Sequence, residues 1–150
     1  MITTFRTILL SLFFVVSFAT SAMEVEVSAI PDFHDFLKEQ ALEGSWGVFI
    51  PKMPAPKSKD HLNIQFSFKN GKIGLDWVLL SPVNIRDRAL FETFAKKNAF
   101  EFNLITASNG IKYLRSEQEG INHFCGKTLI ELYGLTPDEK IDFYSGGYGE

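Results

Sequence analysis

The sequence is poor in the residues that reactive centres and small scaffolds depend on. Cysteine occurs once, at Cys125. That excludes an intramolecular disulfide framework and any multi-cysteine zinc or iron–sulfur centre. There is no surplus of positive charge: 15 Lys+Arg stand against 18 Asp+Glu, a formal net charge of −3. This argues against a nucleic-acid binder that works by neutralising phosphates. The sequence holds no Walker loop, Rossmann glycine pattern, HExxH, nucleophile elbow or EF-hand loop, so no motif calls for a cofactor or a metal.

Long apolar runs are missing too, with one exception at the start. Met1–Arg6 carries a basic side chain, and Ile8–Phe18 (ILLSLFFVVSF) follows without a charge. Ala19-Thr20-Ser21-Ala22 then supplies small residues ahead of the first acid, Glu24. This is the order of a secretory signal peptide. The eleven residues of Ile8–Phe18, at about 1.5 Å of rise each, cross about half of a ~30 Å hydrocarbon core, too little for an anchor. The expectation is a signal peptide over 1–22, cleaved after Ala22 or Ser21. The protein is then exported (periplasmic or extracellular), with no membrane attachment once the leader is gone. Cleavage takes Arg6 with it, moving the net charge by one unit from −3 to −4. Residues 23–150 would form one domain, burying roughly two-thirds of its unfolded surface without disulfides.

Three helices and about six strands are legible. Glu24–Val27 alternates briefly, as a short edge strand would. From Pro31 to Gly44, Phe33, Phe36, Leu37 and Ala41 recur at helical spacing, with Pro31 in the first turn, Asp32 and Asp35 near the positive end of the dipole, and Gly44 as terminator. Trp46–Ile50 reads as a strand, and Pro51–Asp60 (PKMPAPKSKD) as an extended, solvated loop. Leu62–Phe68 alternates cleanly and returns through Asn70-Gly71 to Ile73–Leu80; Asn109-Gly110 joins Phe100–Thr106 to Ile111–Arg115 in the same way. Asn-Gly between such runs favours a type I′ hairpin. A helix follows each hairpin. The first is expected to be capped by Asn84, with Ile85, Ala89, Phe91, Phe94 and Ala95 inward. The second runs from Gly120 to Tyr133, with Ile121, Phe124, Cys125, Leu129 and Leu132 inward. Lys140–Tyr144 closes as a strand, and Ser145–Glu150 is a glycine-rich tail.

This pattern predicts an α+β, two-layer domain with a mainly antiparallel sheet. Residues 73–145 alone read β-α-β-β-α-β, the ferredoxin-like order, in which later strands flank the first on both sides. The whole order, α-β-β-β-α-β-β-α-β, resembles the type III secretion chaperone-like fold. That topology is preferred, because the Asn70-Gly71 hairpin would otherwise compete for an occupied strand edge. The resemblance implies a fold and not a function.

Chemistry-bearing residues are few. His123 and Cys125 are two apart, so on a helix they diverge by roughly 200° and cannot act as a nucleophile–base pair. A Cys125 hydrolase would need His34 or His61 brought in by the fold, and Cys125 sits on an apolar stripe where burial is the plain expectation. Asp138, Glu139 and Asp142 read as a solvated turn rather than a calcium site. Arg86 and Arg88, beside Asn84 and Asp87, could grip an acidic partner.

Aromatics are abundant: 15 Phe, 4 Tyr and 2 Trp. Several strands are apolar on both sides. With the two later helices on one sheet face, Phe49, Val78, Leu80, Leu114 and Tyr144 are expected to share the other, covered by the first helix (31–43) or by another chain. The functional expectation is a small exported, non-enzymatic binding protein, of the inhibitor or immunity type, that engages another macromolecule. It would contact its partner through those five residues together with Arg86 and Arg88, without cofactor, metal or nucleic acid. The alternatives are an exported hydrolase using Cys125 and a homodimeric subunit built through the second sheet face.

Overall fold

A computed structural model describes residues 23–40, 42–52 and 61–146. The expected signal peptide (1–22), Ala41, most of the Pro/Lys loop (53–60) and the end of the tail (147–150) lie outside the described residues. In chain order the elements are β1 (Met23–Glu26), a 3-10 turn (Val27–Ala29), α1 (Ile30–Gln40), β2 (Trp46–Ile50), β3 (Ile64–Lys69) and β4 (Lys72–Val78). They continue with α2 (Pro82–Arg86), α3 (Arg88–Lys97), β5 (Asn103–Thr106), β6 (Lys112–Ser116), α4 (Ile121–Tyr133) and β7 (Lys140–Gly146). This is an α+β protein: among the described residues, one open, all-antiparallel sheet in the order β1-β7-β2-β3-β4-β6-β5 packs against four helices. The ferredoxin-like order is not formed. It needs β4 between β6 and β7, but the β3–β4 hairpin takes that edge, and β7 pairs with β1 and β2.

Local chemistry accounts for the turns. Asn70 (φ 52°) and Gly71 (φ 77°) both take the left-handed conformation that a two-residue I′ turn demands. Their amides donate to the Glu43 carboxylate at 2.6 and 3.2 Å. The second Asn-Gly behaves differently. Of that pair only Gly110 (φ 85°) is left-handed, and the chain closes through Gly110 N–H to Ala107 O (2.9 Å) and Ala107 N–H to Ile111 O (2.8 Å). The loop is therefore longer, with a single left-handed residue as in a bulged hairpin.

The expected single helix after β4 is two. The chain turns at Asp87 (φ −92°, ψ 7°), whose carboxylate is held by Arg86 Nε at 2.7 Å and by the Tyr133 hydroxyl at 2.9 Å. Asn84 is not the cap: Ser81 precedes the helix and Pro82 opens it. Instead Asn84 is fully buried. Its Oδ1 accepts the Asn63 amide (3.1 Å) and its Nδ2 donates to the Asn63 carbonyl (2.8 Å), imitating a strand neighbour at the approach to β3.

All four helices contribute to one core on one sheet face. It joins Ile30 and Leu37 of α1, Val83 of α2, Phe91 of α3 and Phe124 and Leu129 of α4 to Phe49, Ile64, Phe66, Leu75, Trp77 and Leu114 of the sheet. Trp77 stacks on Phe91 with ring centroids 4.1 Å apart, and Phe94, Phe100 and Phe102 surround Phe124. Each such side chain contributes about 1.5–3 kcal/mol on burial. The expected division of faces is corrected here: α1 does not cover the opposite face but packs beside α4. Register decides the matter. Phe49 lies opposite Ile64 and Phe143, and Leu114 opposite Trp77, so both belong to the helix side. Along α1 the buried stripe is Ile30, His34 and Leu37, while Phe36, expected inward, is 46% exposed and Ile85 of α2 is 55% exposed.

Candidate functional site

The stripe of α1 brings a histidine to the helix–helix seam. His34 is buried, its ring edge-on to Phe66 at 5.0 Å between centroids, and its Nδ1 lies 2.9 Å from Asp35 Oδ1. On the facing helix, His123 occupies the first turn of α4, just after Gly120 (φ 86°), whose left-handed backbone turns the chain from β6 into the helix. Between them opens a cleft of about 500 Å³, lined by His34, Asp35 and Lys38 of α1, Glu117 to His123 of the β6–α4 junction, and Ile73 of β4.

Two contacts shape the rim. Gln118 is pinned by its own side chain, which accepts the Glu101 amide (3.2 Å) and donates to the Ala99 carbonyl (2.8 Å). Glu117 Oε2 accepts from Arg115 Nε and Nη2 at 3.3 and 3.2 Å. Burial lowers the His34 pKa below its ordinary 6.5, with the Asp35 hydrogen bond pulling partly the other way. His34 is thus neutral at pH 7, and the lining carboxylates Asp35, Glu117 and Glu119 outnumber the one lining cation, Lys38. The cleft has proton acceptors, but no Ser, Thr, Cys or Tyr among its lining residues. Among the described residues no three His, Cys, Asp or Glu side chains converge as metal ligands do.

The opposite sheet face carries none of the described helices. Trp46, Val48 and Ile50 of β2 form a second, buried apolar cluster with Tyr144 of β7. The Trp46 ring lies on Gly146, where an added Cβ would fall 2.6 Å from it. Beside this cluster is a buried polar network. Arg115 Nη1 donates to Asp76 Oδ1 and to Ser67 Oγ, both at 2.8 Å, and Nη2 donates to the carbonyls of Ser67 (3.1 Å) and Lys72 (3.0 Å). Lys69 Nζ stands 3.6 Å from Asp76 and 4.2 Å from the Tyr113 ring centroid. The guanidinium directs its donors at protein acceptors on β3, β4 and the β6–α4 junction, so the network acts as a clamp across strands.

The residues expected to form one binding face are dispersed. Phe49 and Leu114 are in the helix-side core, Val78 and Tyr144 are on the second face, and Leu80 lies beyond the end of β4, exposed. Arg86 grips Asp87 with two hydrogen bonds, and Arg88 lies 3.5 Å from Glu92. Cys125 is fully buried, and burial raises its thiol pKa far above the ordinary range, so no thiolate forms there at neutral pH. The residues that sequence reasoning passed over are His34 as a buried group and Glu117 to Gly120 as a rim; His34, four after Ile30 and three before Leu37, was the visible signal. The chain matches no protein-family model, no curated protein and no solved structure. Its function has to be read from its own residues.

Proposed function

We propose that this is a small exported binding protein without catalytic activity, of the inhibitor or immunity type, whose cleft between α1 and α4 receives a basic side chain of a protein partner. The observation that carries the proposal is the cleft itself: a concave surface of about 500 Å³ whose lining holds Asp35, Glu117 and Glu119 against one Lys38, with no hydroxyl or thiol side chain. A recess with one sign of charge in excess concentrates groups of the other sign and speeds their capture. Export rests on the charged, apolar and small-residue order of residues 1–22. For the topology, we read β2-β3-β4-β6-β5 with α1, α3 and α4 as the secretion-chaperone-like part of the fold and β1 and β7 as an added edge. The Cys125 hydrolase loses its support, because a fully buried neutral thiol is a poor nucleophile.

The test is affinity capture from the periplasmic or secreted fraction, followed by titration of the recovered partner against variants. Glu119→Lys, which reverses charge at the rim, weakens binding at least about tenfold, whereas Glu39→Lys on the exposed end of α1 leaves it within about twofold. Equal affinities for both variants would remove the cleft from the interface. A turnover assay that succeeds where no saturable partner is found would overturn the proposal as a whole.

A further inference from the structure

α1 has a recess on each flank. Its buried stripe, Ile30, His34 and Leu37, marks the side that faces the sheet. With about 100° between successive residues, Asp32 points away from the sheet, Asp35 and Lys38 fall on one flank, and Phe33 and Phe36 on the other. The first flank borders the cleft with α4. The second borders a recess of about 360 Å³ towards β1 and β7, lined by Met23, Phe33, Phe36 and Phe143 together with Asp32 and Ser145.

This second recess is apolar and has a firm floor. The Phe143 ring lies over Gly47, where an added Cβ would fall 2.8 Å from it. It packs against Phe33 with ring centroids 4.4 Å apart and against Phe49 at 4.9 Å. Met23 and Phe36 are exposed beside it, so a side chain entering there gains apolar surface on several sides. The charge on the helix between the two recesses is acidic: Asp32 lines one and Asp35 the other, three apart on the outer side of α1. Carboxylates so placed draw a basic segment and repel an acidic one.

We propose that the partner segment which places a basic side chain in the cleft crosses over α1 and seats a large apolar side chain, leucine or phenylalanine, in the recess on the other flank. This rests on the cleft receiving a basic group, and adds what the same partner carries beside it. Helix dimensions set the spacing. A helix with its side chains is about 10–12 Å across. An extended chain advances about 3.3 Å per residue and sends alternate side chains to the same side, so residues four apart span about 13 Å with both side chains pointing down. The motif is therefore a basic and a large apolar residue four positions apart on an extended segment.

Titration with synthetic Gly/Ser peptides, followed by NMR, tests this. Two peptides carry arginine and leucine four positions apart, one in each order; the controls replace the leucine by serine or move it to two positions from the arginine. One of the four-apart peptides binds at least about tenfold tighter than both controls, because burying a leucine side chain is worth that much. Phe36→Ser cuts the advantage to within about twofold and leaves the serine control binding as before, whereas Glu119→Lys weakens every peptide. If the four-apart peptides bind no tighter than the serine control, or the two spacings bind alike, the second recess is not part of the site and this inference falls while the reading of the cleft stands. If none of the peptides binds, serine control included, the reading of the cleft falls and this inference with it.

Discussion

Arg115→Leu should be among the most damaging substitutions in this protein, and the structure sets the scale of the damage. Asp76 is 1% exposed and Arg115 5%. Removing the guanidinium deletes the bonds to Asp76, Ser67 and the Lys72 carbonyl and leaves a buried carboxylate with the Gln65 amide at 3.3 Å, Ser67 Oγ and Lys69 at 3.6 Å. Breaking a buried pair from one side costs about 3–5 kcal/mol, because the surviving charge remains desolvated. A remaining cation nearby puts the expectation at the lower end, about 3 kcal/mol. Asp76→Leu alone costs less, about 2 kcal/mol, since Arg115 keeps Glu117. The double substitution recovers most of the loss, because a buried pair replaced by apolar residues of similar volume is close to neutral. Urea unfolding followed by tryptophan fluorescence measures all four corners of the cycle, with unchanged m-values as the check on two-state behaviour. The reasoning fails if Arg115→Leu costs less than about 1 kcal/mol or if the two single losses simply add.

Two further outcomes follow from buried titratable groups. Cys125 should not react with a thiol reagent in the folded state and should react fully once the chain is unfolded, because burial keeps the thiol neutral and out of reach; rapid labelling of native protein would contradict this. His34, whose folded pKa is depressed by burial, binds a proton more readily in the unfolded chain. Stability from this group is therefore flat above the ordinary 6.5. It falls as pH drops from there towards the folded value, and is flat again below it. Asp87 is also depressed, by Arg86 first and by Tyr133, but its loss comes only below its ordinary 3.8, outside a scan run near neutral pH. Chemical denaturation between about pH 5 and pH 7.5 should show the decline in wild type and its absence in His34→Gln; the same slope in both would assign it elsewhere.

What was legible in the sequence is what a few neighbouring residues decide between them. The Asn70-Gly71 turn, the alternation of β3, the left-handed Gly134 that ends α4 and the burial of Cys125 all follow from local chemistry and all are present. The faces of the strands were not legible, because parity within a strand is local but its phase relative to a neighbour is not. Phe49 looked like the odd residue in Trp46–Ile50, yet pairing with Ile64 and Phe143 turns it into the core and turns Trp46 and Val48 the other way. The same blindness hid the polar clamp. Gln65, Ser67 and Lys69 alternate with apolar residues as solvated side chains would, but they are buried beside Asp76 and Arg115, which lie directly opposite each other across β4 and β6. Asp76 as the one polar residue in Leu75–Leu80 was the available hint.

This clamp and the cleft are not independent. Arg115 reaches through the end of β6 to Glu117, so the guanidinium that neutralises Asp76 also fixes one carboxylate of the cleft rim. Loosening the sheet network should therefore loosen the rim, and a binding loss in Arg115→Leu cannot by itself assign Arg115 to the interface. Glu119, which makes no such bond among the described residues, separates the two effects: its reversal leaves the urea midpoint unchanged while altering capture of a basic group.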